Sequence, residues 1–98
     1  MIKIIWSIRA RKQFDKVYQY WTNHNESNIY SEKILDETLR MINLLRDQNK
    51  IGLKSSMKEL RRVLILENFS LSYRLSKKEI KIFSFFDNRQ NPKKNKFN

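Results

Sequence analysis

The sequence predicts an α+β domain: a helical hairpin packed on a small, mostly antiparallel four-stranded sheet, in the order β-α-α-β-β-β. Three observations predict it. Apolar residues recur at helical period through two consecutive stretches of the first half. After Asn49 that period gives way to three closely spaced strand-like runs, one of them strictly alternating. The 98 residues have room for one hydrophobic core, and 40% hydrophobic with 32% charged side chains is an ordinary balance for a globular chain.

Residues 2–6 are short and β-branched and read as the first strand. Ser7 follows as an N-cap, its hydroxyl suited to accept an amide of the first turn. Ala10, Phe14, Val17, Tyr18 and Trp21 recur at i, i+4, i+7, i+8 and i+11, one apolar face of a helix over 7–22. Arg9, Lys12 and Lys16 fall on the opposite face, and Tyr18 and Trp21 read as core. The polar run 23–28, which holds the single histidine, His24, reads as a solvated link.

A second helix is expected over 27–48, where Ile34, Leu35, Thr38, Leu39, Met41, Ile42 and Leu45 form a broad apolar stripe. Asp36 and Arg40 have the favourable i, i+4 order. The short link makes the two helices antiparallel neighbours, and each needs a sheet to bury its stripe. Residues 50–56 read as a loop. Strands follow over 58–66, 69–75 and 79–87, joined by hairpin-length links. The middle run sets Phe69, Leu71, Tyr73 and Leu75 on one face and Ser70, Ser72 and Arg74 on the other, a strand with one wet side. The last run, with Ile80, Ile82, Phe83, Phe85 and Phe86, is apolar on both faces. It belongs inside the sheet, with 2–6 pairing beside it. The tail from 88 onward is polar and basic.

Charge narrows the partners. Lys plus Arg is 21 against 10 acidic residues, a formal net charge of +11. The halves differ: residues 1–49 carry 8 basic and 6 acidic side chains, residues 50–98 carry 13 and 4. Such an excess points to a polyanionic or acidic partner. The absence of Cys removes disulfides, thiolate metal sites and cysteine nucleophiles, and one Gly is too few for a Gly-rich phosphate cradle. Scattered carboxylates and one His form no ligand cluster, so no metal or cofactor is expected. The longest apolar run is too short to cross a bilayer, and the start lacks the long apolar stretch of a signal peptide. A cytoplasmic protein with no membrane partner is the expectation.

Four stretches carry a resemblance. Ile4-Ile5-Trp6-Ser7-Ile8-Arg9-Ala10, Ile51-Gly52, Glu59-Leu60-Arg61-Arg62, and the closing series Phe69-x-Leu71-x-Tyr73-Arg74, Ile80-x-Ile82 and Phe86-Asp87-x-Arg89-Gln90-Asn91-Pro92 occur in order. Together they resemble the RelE/ParE superfamily, the toxin half of bacterial type II toxin–antitoxin pairs, over residues 2–94. The resemblance implies one toxin domain over 1–94, with a frayed basic tail at 95–98. It implies a cognate antitoxin that lays an acidic segment over the toxin's Arg and Lys, and growth arrest by released toxin. It allows a homodimer or a toxin–antitoxin hetero-oligomer.

Two activities occur in that superfamily. RelE-like members cut mRNA in the ribosomal A site, and ParE-like members block DNA gyrase. Cleavage through a 2′-hydroxyl needs a base, an acid and cations for the phosphate. The resemblance assigns the second-strand cation to Arg61 or Arg62 and the C-terminal one to Arg89. The third-strand arginine falls at Ser70, for which Arg74 on the same face is a substitute. No Tyr follows Asp87, and no His occurs in the last 74 residues. The incomplete set favours a ParE-like inhibitor, with a ribosome-dependent endoribonuclease as the alternative, so enzyme status stays open. Arg61, Arg62, Arg74 and Arg89 are catalytic candidates only on that alternative. Adjacent on one strand, Arg61 and Arg62 point to opposite faces. Arg89 also reads as a local partner of Asp87, and Tyr73 as core. Phe83, Phe85 and Phe86 read as packing, with one face of the last strand left as a partner groove.

Overall fold

The computed structural model describes residues 2–54 and 59–89. The elements are β1 (Lys3–Trp6), α1 (Ile8–Asn25), α2 (Ile29–Asp47), β2 (Leu53–Lys54), β3 (Leu60–Ile65), β4 (Phe69–Leu75) and β5 (Glu79–Asp87). They form one sheet in the order β1-β5-β4-β3-β2, antiparallel except for the parallel β1–β5 pair. The α+β architecture is the expected one. The sheet has five strands rather than four, because Leu53 and Lys54 pair with Arg62 and Arg61 inside the segment read as a loop. Two residues are too few to carry a period. Residues 90–98 of the expected tail lie outside the described residues, as does position 58, the expected start of the strand that is β3 here.

Ser7 caps α1 as expected: its Oγ accepts from the Ala10 amide at 3.0 Å and donates to the Phe83 carbonyl at 3.2 Å, tying the helix start to β5. The helix runs past Thr22 to Asn25. It stops where Glu26 turns left-handed (φ 54°) and its amide reaches back to Asn23 and Thr22. His24 therefore sits in the last helical turn, stacked on Tyr20 with ring centroids 5.6 Å apart, and not in a link. Tyr18 leaves the core and donates its hydroxyl across to Glu32 of α2 at 2.6 Å. That carboxylate holds its phenol above the ordinary value.

The helices touch through small polar groups. Ser31 Oγ donates to the Tyr18 carbonyl at 2.7 Å and lies 2.8 Å from Thr22 Oγ1, so two hydroxyls allow close approach and satisfy each other. Ile34, Ile42 and Leu45 face the core, whereas Leu39 turns out to solvent. Arg40 pairs with Glu37 at 2.9 Å, one residue nearer than Asp36.

One face of the sheet carries the hairpin. Ala10, Val17, Ile34, Ile42 and Leu45 pack on Val63, Ile65, Phe69, Leu71, Tyr73, Ile80, Ile82 and Phe85. Phe14 closes edge-to-face on Trp6 and Phe85, at 5.9 and 4.9 Å. β5 is flanked on both sides, as its apolar composition predicts. A register shift between Ser72 and Tyr73 aligns Tyr73 with Ile82 and Ser72 with Ser84, so Phe83 is an extra residue on β5.

Candidate functional site

Among the described residues no helix packs on the opposite face of the sheet, and strand alternation with the pairing register says which side chains that face carries. Lys3 and Ile5 come from β1, Glu79 and Lys81 from β5 before the bulge, and Ser84 and Phe86 after it. Arg74, Ser72 and Ser70 come from β4, and Leu60, Arg62 and Leu64 from β3. Leu53 of β2 stands beside Arg62 and is 70% exposed. Among the described residues this face thus has four cations against one carboxylate, with an apolar margin at Leu53 and Leu64.

The bulge aims Phe83 into the cationic group. The Arg74 guanidinium stands 4.9 Å from the Phe83 ring centroid and the Lys81 ammonium 5.3 Å, so one ring steadies two like charges that would otherwise repel. Neither Lys81 nor Phe83 was among the sequence candidates. Their meeting with Arg74 depends on the bulge, which no residue pattern announces.

The serine face of β4 is not the wet face expected from alternation. Ser70, Ser72 and Ser84 are buried. Ser70 donates to Asn88 Oδ1 at 2.8 Å, whereas Ser72 and Ser84, directly opposite one another, lack a hydrogen-bond partner among the described residues. The register sets Ser72 between Arg62 and Ser84, with Arg74 and Phe86 two residues further along their strands on the same face.

The four arginine candidates separate into two groups. Arg62 and Arg74 share the open face. Arg61 lies on the helix face, where its Nη1 donates to the carbonyls of Lys50 (3.2 Å) and Gly52 (3.0 Å). Tyr73 completes that corner: its buried hydroxyl donates to Asn49 O at 2.8 Å and accepts from the Gly52 amide at 3.1 Å. Burial pushes the Tyr73 phenol above its ordinary value, against the opposing pull of the Gly52 amide and the Arg61 charge. A Cβ on Gly52 would lie 2.7 Å from the Tyr73 oxygen, so the only glycine is required by close approach.

Arg89 belongs to a clasp at the other end of the sheet. Its Nε and backbone N donate to Asp87 Oδ1 at 2.9 and 3.0 Å, and its Nη2 to Oδ2 at 3.1 Å. Trp21 Nε1 adds a contact to Oδ2 at 3.3 Å. The guanidinium lies 4.4 Å from the Trp21 ring and 5.1 Å from Phe69. The Asp87 carboxylate raises the Arg89 pKa further, so the cation is permanent. Asp-x-Arg here ties the end of β5 to α1. Among the described residues no group of three His, Asp or Glu side chains comes together to hold a metal ion, and no helix is long and apolar enough to cross a membrane.

Solved structures with the same arrangement decide the fold. A chain of a chromosomal ParDE TA system from P. aeruginosa superposes with a TM-score of 0.75 at 19% identity, covering 89% of this chain and 96% of its own. A YoeB/ParE toxin from Agrobacterium tumefaciens gives 0.61 at 14% identity, over 88% and 98%. A chain of the E. coli DinJ-YafQ complex gives 0.53 at 16%, over 91% and 96%. The chain has the RelE/ParE toxin fold. The sequence matches no protein-family model and no curated protein. The likeness is therefore one of backbone and topology.

Proposed function

We propose that this chain is the toxin of a type II toxin–antitoxin pair, a ParE-like binding inhibitor directed at DNA gyrase and silenced by an antitoxin with an acidic segment. The carrying observation is the RelE/ParE fold, with the ParDE-system chain superposing at a TM-score of 0.75, in a protein of net charge +11. The cationic open face supports an acidic antitoxin segment, because a negative segment laid over Arg62, Arg74 and Lys81 relieves their repulsion.

The state of the cleavage candidates supports inhibition over catalysis. Ser70 brings no charge, Arg61 is engaged by loop carbonyls, and Arg89 is held by Asp87. Tyr73 is buried with its hydroxyl engaged at both lone pair and proton. A ribosome-dependent mRNA endoribonuclease is the second reading, favoured by the convergence of Arg62 and Arg74 on one face.

Controlled expression in bacteria tests the toxin reading. Growth arrest relieved by co-expression of a small acidic protein encoded next to this chain is expected, and normal growth refutes it. Purified protein is then added to a gyrase supercoiling assay and to a ribosome-programmed mRNA cleavage assay. Inhibition in the first with intact mRNA in the second is the expected result. Cleaved mRNA with unaffected supercoiling favours the second reading.

A further inference from the structure

Arg74 and Lys81 are Cα partners across β4 and β5, so two like charges stand directly opposite one another on the open face. Such a pair is unfavourable in a sheet. Among the described residues neither side chain forms an ion pair, and the carboxylate of that face, Glu79, stands opposite Lys3. Both Arg74 and Lys81 are exposed. Left to themselves, side chains of this length sample many rotamers, and a partner that needs them fixed must supply the cost.

Here the fold supplies it through a ring whose place is fixed twice over. The register shift that makes Phe83 an extra residue brings its ring to both cations, 4.9 Å from the Arg74 guanidinium and 5.3 Å from the Lys81 ammonium. On the side away from β4, the Phe83 carbonyl accepts from Ser7 Oγ at 3.2 Å and the Ile82 carbonyl from the Ser7 amide at 2.9 Å. The N-cap of α1 thus pins the backbone of the bulge, and the half-buried ring has little freedom to leave the two charges.

We infer that Phe83 is a positioning residue: it holds Arg74 and Lys81 in place before any partner arrives, so that the two form one receptor for a single carboxylate of an acidic peptide segment. The guanidinium grips both oxygens through its planar fork, and the ammonium adds a point charge. Two long side chains ordered in advance are two that binding need not order. The inference rests on the proposed function for the acidic character of the partner, and adds the residue that sets the affinity by acting through the cations.

The test uses the purified full chain. Ring-current effects should move the Arg74 δ and Lys81 ε protons upfield of their open-chain NMR positions, and Phe83→Leu should abolish the displacement. Anisotropy of a labelled, capped ten-residue peptide of alternating glutamate and serine then reads the consequence for binding. Phe83→Leu, which keeps an apolar side chain but no ring face, should weaken binding by about three- to fivefold, and Phe83→Tyr should retain it. Arg74→Gln with Lys81→Gln should weaken binding by about tenfold. In that background Phe83→Leu should change nothing further. A ring that merely supports the fold gives the same loss in both backgrounds, and that result overturns the inference. So do open-chain shifts for both cations, no peptide binding, or a ten-nucleotide RNA bound more tightly than the peptide with the same dependence on Phe83. Growth arrest is scored separately. A chain that arrests growth but binds the peptide regardless of Phe83 loses only this inference, and one that binds through Phe83 without arresting growth loses only the toxin reading.

Discussion

Gly52→Ala concentrates the close packing of one corner into a single methyl group. The added Cβ would stand 2.7 Å from the Tyr73 oxygen, 2.8 Å from Cε1 of its ring and 3.1 Å from Arg61 Cβ. The first two distances are shorter than any real contact, so the ring or the loop must move. Tyr73 is fully buried in the centre of the sheet, and its displacement forfeits both hydrogen bonds of its hydroxyl, at about 1 kcal/mol each. Strain from crowding a packed site adds about 1–3 kcal/mol, part of which the movement relieves. The expected loss is about 2–4 kcal/mol, read by urea unfolding, with a fall in melting temperature of at least about 8 °C. Tyr73→Phe alone should cost about 1–2 kcal/mol, because the Gly52 amide and Asn49 carbonyl lose their partner. In that background the alanine no longer meets an oxygen, so the two losses should fall short of additivity by about 1 kcal/mol. A Gly52→Ala protein within about 0.5 kcal/mol of its parent would refute the reasoning, since that is the range of an indifferent surface change.

Other perturbations have equally definite outcomes. Asp87→Ala removes the carboxylate that joins Arg89 and Trp21; with Arg89 40% exposed against 5% for Asp87, the loss should be about 1–3 kcal/mol in chemical denaturation, below that of a fully buried pair. Ser7→Ala should cost about 1–2 kcal/mol by the same measurement, from a cap that also reaches β5. Glu67 is exposed with φ at 63° in the β3–β4 turn, so Glu67→Gly should stabilise the fold by about 0.5–1 kcal/mol, seen as a higher denaturation midpoint. Tyr73 and Tyr18 both ionise above the ordinary tyrosine value of 10.0. The folded state therefore holds those protons more tightly: their contribution is intact below pH 10.0 and falls as pH rises through the folded values. Ultraviolet titration of the native protein should show late phenol ionisation that Tyr73→Phe diminishes.

The legible parts of the fold were those written in long periods. Ser7 and the spacing from Ala10 to Trp21 disclosed the start and buried face of α1, and the Phe69–Leu75 alternation disclosed β4. The end of α1 was not legible, because polar residues such as Asn23 and Asn25 suit an exposed last turn as well as a link. Its stop is a backbone event at Glu26. β2 escaped because two exposed residues have no period and are ordered by pairing with Arg61 and Arg62. For the site, alternation separated Arg61 from Arg62 without telling which faced the helices. That answer came from the register with Tyr73 and Ser72. Arg89 beside Asp87 was readable as a local pair, whereas the Phe83 group required a bulge that only three-dimensional pairing creates.

The parallel pairing of β1 with β5 has a consequence for synthesis. Lys3 meets Glu79 and Trp6 meets Ile82, so the earliest strand to leave the ribosome waits for the latest. Until β5 emerges, α1 has no sheet edge to be anchored to through Ser7, and β4 lacks one neighbour. A nascent chain stalled before residue 79 therefore cannot close its core or bring Lys81 and Phe83 beside Arg74.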